Sequence, residues 1–208
     1  MTSLYLLRHG ALSADSHARF IGQTDLPLSP EGFRQARRLG EALRDCGIET
    51  IYCSDLLRSR QTAGLIGEET GASIEARPAL REIALGEWEG LTRREVASRF
   101  PAQYASRGAD LEHYRVPGGE SFSDVRGRVL SVWNAMLHSG HRSIAVVGHA
   151  GVNRLLLADL LGMPVENIFR IGQDYGCVNV VECNGEQIKV RLINGRTADL
   201  RHDGAQDQ

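Results

Sequence analysis

The stretch LYLLRHGALS, Leu4 to Ser13, stays apolar for the length of a strand and then breaks into an arginine, a histidine and a glycine. An unbroken apolar run bounded by glycine reads as a buried strand rather than an amphipathic helix. Strands of that kind are covered on both faces, as in a parallel sheet. In open parallel sheets ligands bind beyond the carboxyl ends of the strands, which is where Arg8 and His9 stand. The same grammar recurs along the chain. IETIYCS is followed at once by the helical pattern LLRSRQTAGLIGEE, which puts Arg58 in a first helical turn, and RSIAVVGHAGVNRLLLADLLG is an apolar strand, a glycine, His149 and a helix. Three strand-to-helix junctions thus carry Arg8 with His9, Arg58, and His149 to the same end of a parallel sheet.

The surrounding segments fit that frame. In LSPEGFRQARRLGEALRD, Ser29 is a good N-cap and Pro30 sits at the first helical position, where its missing N–H costs nothing. The helix is expected to run to about Asp45. A short strand, a turn-rich stretch and a helix are read in residues 73–100, then a partly polar helical excursion and a long amphipathic helix after PGG. DYGCVNVVEC and QIKVRLI form the last two strands, joined by NGE, a turn with the glycine that hairpins favour. Residues 1–195 are read as a single domain, and residues 196–208 as a frayed tail with little to bury.

With 208 residues, 42% of them hydrophobic, the chain can fill one core and needs no second domain. A net charge of −2, with basic residues spread along helices, argues against nucleic acid as a partner, so any anion site must be local. Cys46, Cys53, Cys177 and Cys183 form no CxxC pair and read as free thiols in a reducing compartment. No apolar run approaches membrane-spanning length and no leader pattern opens the sequence, so a cytoplasmic protein without a membrane partner is expected.

Two histidines and two arginines at one sheet rim suggest an anion rather than a cation. Imidazole is a common metal ligand, but a guanidinium cannot coordinate a cation and a pair of them repels one, so no metal is expected. A phosphate dianion fits, because guanidinium forks match its oxygens and helix N-termini add N–H donors. Histidine also serves as a nucleophile that splits one hard displacement into two easier ones. The chemistry suggested is phosphoryl transfer through phosphohistidine.

LRHG, GQTDLPLSPEGFRQA, SDLLRSRQTA, LREIALGEWEG, PGGES and VVGHAGVNR, in that order and spacing, resemble the phosphoglycerate mutase-like branch of the histidine phosphatase superfamily. The resemblance covers nearly the whole chain up to the last two strands. It implies a three-layer α/β/α sandwich around a mixed, mainly parallel central sheet, and a phosphatase that needs neither metal nor cofactor. It also implies residue roles. His9 is the nucleophile, Arg8, Arg58 and His149 clamp the transferring oxygens, and Glu82 protonates the leaving oxygen and then deprotonates water. Contacts to the substrate, a small-molecule phosphomonoester, are assigned to Arg8, Asp15, Gly22, Gln23, Thr24, Arg58, His149 and Ala150. The α-ribazole phosphatases look like the nearest subgroup; homodimer formation is left open.

Each assignment has a plainer rival. A histidine at a strand end is more often structural, and Arg58 could lie on a helix surface, although a cation in a first helical turn opposes the dipole. Glu87 and Glu89 compete with Glu82 for the acid role. Ser121 in PGGES reads as an N-cap with Asp124 as its capping-box partner, His138 and His141 as a solvated helix end, and Trp88 and Trp133 as packing. The sequence also departs from the family pattern: Ala11, Leu12 and Asp15 stand where Glu, Thr and a phosphate-binding Asn are usual, and Gly148 and Ala150 flank the second histidine. Asp15 raises the alternative of a phospho-ligand sensor with weak turnover, and a mutase is the other alternative. Retention of Glu82 disfavours the sensor, and the absence of RHYG and of a long basic insertion disfavours the mutase.

Overall fold

In the computed structural model, which describes residues 1–13, 18–185 and 187–202, one six-stranded sheet has the order β3-β2-β4-β1-β5-β6. The elements are β1 (Thr2–Arg8), α1 (Pro30–Leu43), β2 (Thr50–Cys53), α2 (Leu57–Thr70), β3 (Ser73–Ala76), α3 (Arg93–Arg99), α4 (Pro101–Ala109), α5 (Phe122–Leu137), β4 (Ser143–Gly148), α6 (Ala150–Leu160), β5 (Val178–Asn184) and β6 (Gln187–Gly195). Strands β1 to β4 run parallel, β5 pairs antiparallel with β1, and β6 antiparallel with β5. The sheet is therefore mixed and mainly parallel, as expected.

Alternation along the central strands explains the layers. Leu4 and Leu6 of β1 and Ile144 and Val146 of β4 enter one core with Val125, Val129 and Trp133 of α5 and Leu155 to Leu157 of α6. Leu7, Ala145 and Val147 face the other way, onto Leu39 and Leu43 of α1 and Ala63 and Ile66 of α2. A strand whose successive side chains are buried on opposite faces reads as a continuous apolar run, which is what LYLL and SIAVVG are. No helix among the described residues is long and apolar enough to cross a membrane.

The local signals read from the sequence operate. Ser29 accepts the Gly32 N–H and Pro30 opens α1, whose helical run stops at Leu43, two residues before the expected end. Ser121 and Asp124 form a reciprocal capping box. The four cysteines are free, three of them buried, and burial pushes the Cys53 and Cys177 thiols up to about 11. The tail differs from expectation. Asp199–His202 forms a short helical turn, and Leu200 packs on the α1–α2 core because it supplies an apolar side chain that the flanking polar residues hide.

Candidate active site

The register Arg8↔Gly148 places the first residues beyond β1 and β4 side by side, and the His9 and His149 rings meet edge to face at 5.1 Å. Gly10 follows because the chain has no room for a Cβ there: one would sit 2.3 Å from the Gly32 carbonyl oxygen in the first turn of α1. The Gly10 N–H donates to Thr62 Oγ1, which in turn donates to the Arg58 carbonyl. Thus α1 and α2 both lock the turn that carries His9.

His9 is buried, and its ring is oriented at both nitrogens. Nδ1 lies 2.8 Å from the Gly10 carbonyl, so it carries the hydrogen, and Nε2 accepts from Arg58 Nε at 3.2 Å. Burial holds the His9 pKa well below its usual value, reinforced by the positive charges of Arg58 and Arg8. His149 is likewise held neutral, first by burial and then by Arg58, His9, Arg8 and Arg128. These shifts leave a lone pair on His9 Nε2 at neutral pH.

Arg58 is only 1% exposed, which removes the surface-helix reading. Its terminal nitrogens donate to the carbonyls of Thr24 (2.8 Å) and Gly22 (2.6 Å). Glu89 fixes the same loop, accepting from the Gly22 N–H, the Thr24 N–H and the Thr24 hydroxyl. Gly22 and Thr24 therefore reach the site through backbone carbonyls on Arg58, and Glu89 is committed to that loop. Gln23 turns its amide to the Glu82 carbonyl and to Glu120. Asp25 accepts the Leu57 N–H and caps α2, whose own N-cap residue, Leu56, has no acceptor. Asp15 lies outside the described residues.

Arg8 donates to the Gln173 carbonyl at 2.6 Å and lies 3.6 Å over the Tyr175 ring. Its Nε and both ring nitrogens of His149 are buried without a hydrogen-bond partner among the described residues. An unsatisfied buried polar group costs about 1–3 kcal/mol. The Arg8 Nε–H and the one ring N–H of neutral His149 are thus donors beside His9 that can receive acceptor oxygens, and the other His149 nitrogen is an acceptor.

Glu82 is 8% exposed, and its carboxylate is seated on backbone amides: Oε1 accepts from the Ile83 N–H and Oε2 from the Gly151 N–H, each at 3.0 Å. Gly151 lies in the first turn of α6, directly after His149 and Ala150. A Cβ on Gly151 would stand 2.4 Å from Glu82 Oε1. Behind Glu82, Arg128 forms a two-point ion pair with Glu120 and donates to the carbonyls of Ala79 and Glu82. Sequence reasoning missed Gly151, Tyr175, Gln173, Arg128 and Glu120 as parts of this site; PGGES, read as a turn, was the one visible sign of Glu120.

The model of the histidine phosphatase superfamily (branch 1) matches residues 4–196. The chain belongs to this superfamily. It is 30% identical over 200 residues to the adenosylcobalamin/alpha-ribazole phosphatase of Escherichia coli K12, spanning 96% of this chain and 98% of that protein. It is also 35% identical over 175 residues to the glucosyl-3-phosphoglycerate phosphatase of Mycolicibacterium vanbaalenii, spanning 79% of this chain and 76% of that protein. The crystal structure of a putative alpha-ribazole-5'-P phosphatase from E. coli superposes with a TM-score of 0.86 at 29% identity, covering 94% of this chain and 97% of that one. Like these relatives, the chain is a hydrolase of the phosphatase type, a family that works through phosphohistidine.

Proposed function

We propose that the protein hydrolyses a small phosphomonoester in two displacements at His9, with Glu82 moving the protons. The observation that carries this reading is the His9 imidazole: it is buried, neutral, anchored through Nδ1, and turned by Nε2 into a cluster of Arg8, Arg58 and His149. In the first displacement the Nε2 lone pair forms a bond to phosphorus as the ester P–O bond breaks. The electron pair goes to the leaving oxygen, which takes the Glu82 proton. In the second, the Glu82 carboxylate takes a proton from water, the water oxygen bonds to phosphorus, and the N–P electron pair returns to Nε2.

The positive groups stabilise charge on the three non-bridging oxygens in both transition states. The Arg8 Nε–H and the single ring N–H of neutral His149, neither taken up by a described residue, are donors for them; the Ala150 N–H at the start of α6 is a further donor. Because Arg58 already donates to the carbonyls of Gly22 and Thr24 and, through Nε, to His9 Nε2, its share is exerted mainly through its charge. Residue choice supports a metal-free mechanism: the charge a divalent ion supplies elsewhere is carried here by guanidinium groups that would repel one.

Relatives acting on alpha-ribazole phosphate and on glucosyl-3-phosphoglycerate support a small organic phosphomonoester as the substrate. The test is steady-state hydrolysis of 4-nitrophenyl phosphate in excess chelator. Activity should persist there and disappear in His9→Asn with the circular dichroism spectrum unchanged. Activity that needs added magnesium or zinc, or that survives His9→Asn, overturns the reading.

A further inference from the structure

The segment from Ile171 to Cys177, which leads into β5, forms neither helix nor strand, yet it holds the turn that carries Arg8 and His9. The Gln173 carbonyl accepts from Arg8 Nη1 at 2.6 Å, and the Tyr175 ring lies beneath the same guanidinium. The Gly176 N–H donates to the His9 carbonyl and the Cys177 carbonyl accepts the Arg8 N–H, each at 3.2 Å. Irregular segments are ordinarily the mobile part of a site. This one is pinned by a side chain turned inward. Gln173 is only 3% exposed, and its amide is used at both ends. Oε1 accepts from Nδ2 of Asn153 and Nδ2 of Asn179, each at 3.1 Å, and from Cys177 Sγ at 3.6 Å. Nε2 donates to Asn179 Oδ1 at 2.7 Å and to the Gly172 carbonyl at 2.8 Å.

The two asparagines are fully buried and stand on different elements. Asn179, on β5, also donates to the carbonyl of Leu6, two residues before Arg8, and accepts the Asn194 N–H of β6. Asn153 stands on α6, and its N–H donates to the His149 carbonyl one turn earlier. The three amides therefore bridge the strand that ends in Arg8 to the helix that begins beyond His149. Stability alone does not explain Asn153. Its Oδ1 is buried without a partner among the described residues and faces Gly148, where a Cβ would stand 3.0 Å away. An apolar side chain at that place would leave no acceptor unpaired.

We propose that Gln173 is a positioning residue for the phosphate clamp, its amide tied to Asn153 and Asn179 so that its carbonyl sets Arg8 in register with His149. Arginine has a long side chain with many rotamers, and a carbonyl fixes one of its nitrogens only if the carbonyl itself is fixed. A buried amide with both ends satisfied supplies that rigidity. The segment then delivers the Tyr175 ring and the Gln173 carbonyl to the guanidinium together. This deepens the phosphomonoesterase reading and rests on it for the role of Arg8 toward phosphate oxygens, whereas phosphate binding is read without turnover.

The test is titration of the full chain with inorganic phosphate, followed by ³¹P NMR, with thermal unfolding beside it. Gln173→Met keeps the length of the side chain and should weaken phosphate binding by about tenfold or more. Combined with Arg8→Met it should bind phosphate no more weakly than Arg8→Met alone, because Gln173 acts through Arg8. Asn153→Leu removes only the α6 arm together with the unpaired Oδ1, so it should weaken phosphate by about threefold while the melting temperature stays at or above parental. That split between affinity and stability is one a merely structural role does not produce. Phosphate affinity within about twofold of parental in Gln173→Met or in Asn153→Leu, or a loss that adds in full to that of Arg8→Met, overturns the proposal. Should Gln173→Met fail to fold, Asn153→Leu with and without Arg8→Met decides by the same criteria. Phosphate binding that follows these expectations with no hydrolysis of any phosphomonoester would leave the positioning role standing and remove the phosphatase reading; no phosphate binding by the unaltered protein overturns both.

Discussion

Gly151→Ala separates catalysis from stability in an unusual way. The substitution lies inside α6, where alanine is favoured over glycine by about 1 kcal/mol. Opposing it, the new Cβ would stand 2.4 Å from Glu82 Oε1, where ordinary contact begins at 3.4 Å, so the carboxylate must withdraw by about 1 Å. That movement gives up the Gly151 N–H···Oε2 bond of 3.0 Å, worth about 1.5–3 kcal/mol for a charged acceptor. The first term offsets part of the second. A net loss of about 0.5–2 kcal/mol would lower the melting temperature of a chain of this size by only a few degrees. Catalysis has no such compensation, because a displacement of about 1 Å in a reacting group can cost about 10²-fold. The loss should fall on alkyl phosphates, whose leaving oxygen needs a proton, and spare 4-nitrophenyl phosphate. The assay is kcat on both esters, with thermal unfolding beside it. Parental turnover of alkyl phosphates by Gly151→Ala, or an equal loss on both esters, refutes the seating of Glu82 as the source of its function.

The same logic makes Glu82→Gln slow alkyl esters by about 10²–10⁴-fold more than activated aryl esters, and an equal loss would move the acid role to another carboxyl group. Tyr175→Leu, which removes the ring 3.6 Å beneath Arg8, should raise KM for phosphomonoesters severalfold while Tyr175→Phe leaves it near parental; an unchanged KM in the leucine variant would show that Gln173 alone holds Arg8. Because His9 and His149 are neutral in the fold with pKa values held well below 6.5, the unfolded chain binds more protons as pH falls below that value. Stability should then decline from about pH 6.5 downward, and denaturant titrations should show a shallower decline in His149→Ala.

What the sequence disclosed was whatever local order decides. Apolar runs ending in RHG and GHAG locate two neighbouring parallel strands, and Arg58 follows a third, so the cluster of Arg8, His9, Arg58 and His149 is legible before any coordinates. Ser29 with Pro30, and Ser121 with Asp124, announce their helices because a cap is settled within four residues. What supports the site was not legible. Gly151 meets Glu82 from 69 residues away, and Arg8 meets the Gln173 carbonyl from 165 residues away. Neither pairing leaves a periodicity or a motif. Glu89 competes with Glu82 on sequence alone, and only its three bonds to the Gly22–Thr24 loop assign it a different task. Arg107 sits in a polar helical stretch and gives no sequence sign that its guanidinium is buried on Trp88 and Phe122.

The central claim is that phosphorus passes through His9 Nε2. Rapid acid-free quenching of the enzyme with a ³²P-labelled phosphomonoester, followed by peptide mapping under alkaline conditions, tests it directly. The label should appear within the first turnover on the peptide containing His9, stable to base and lost in acid, and it should be absent in His9→Asn. Label on another residue, or hydrolysis through complete turnovers with no trapped phosphoenzyme in either Glu82→Gln or the unaltered protein, would contradict the mechanism.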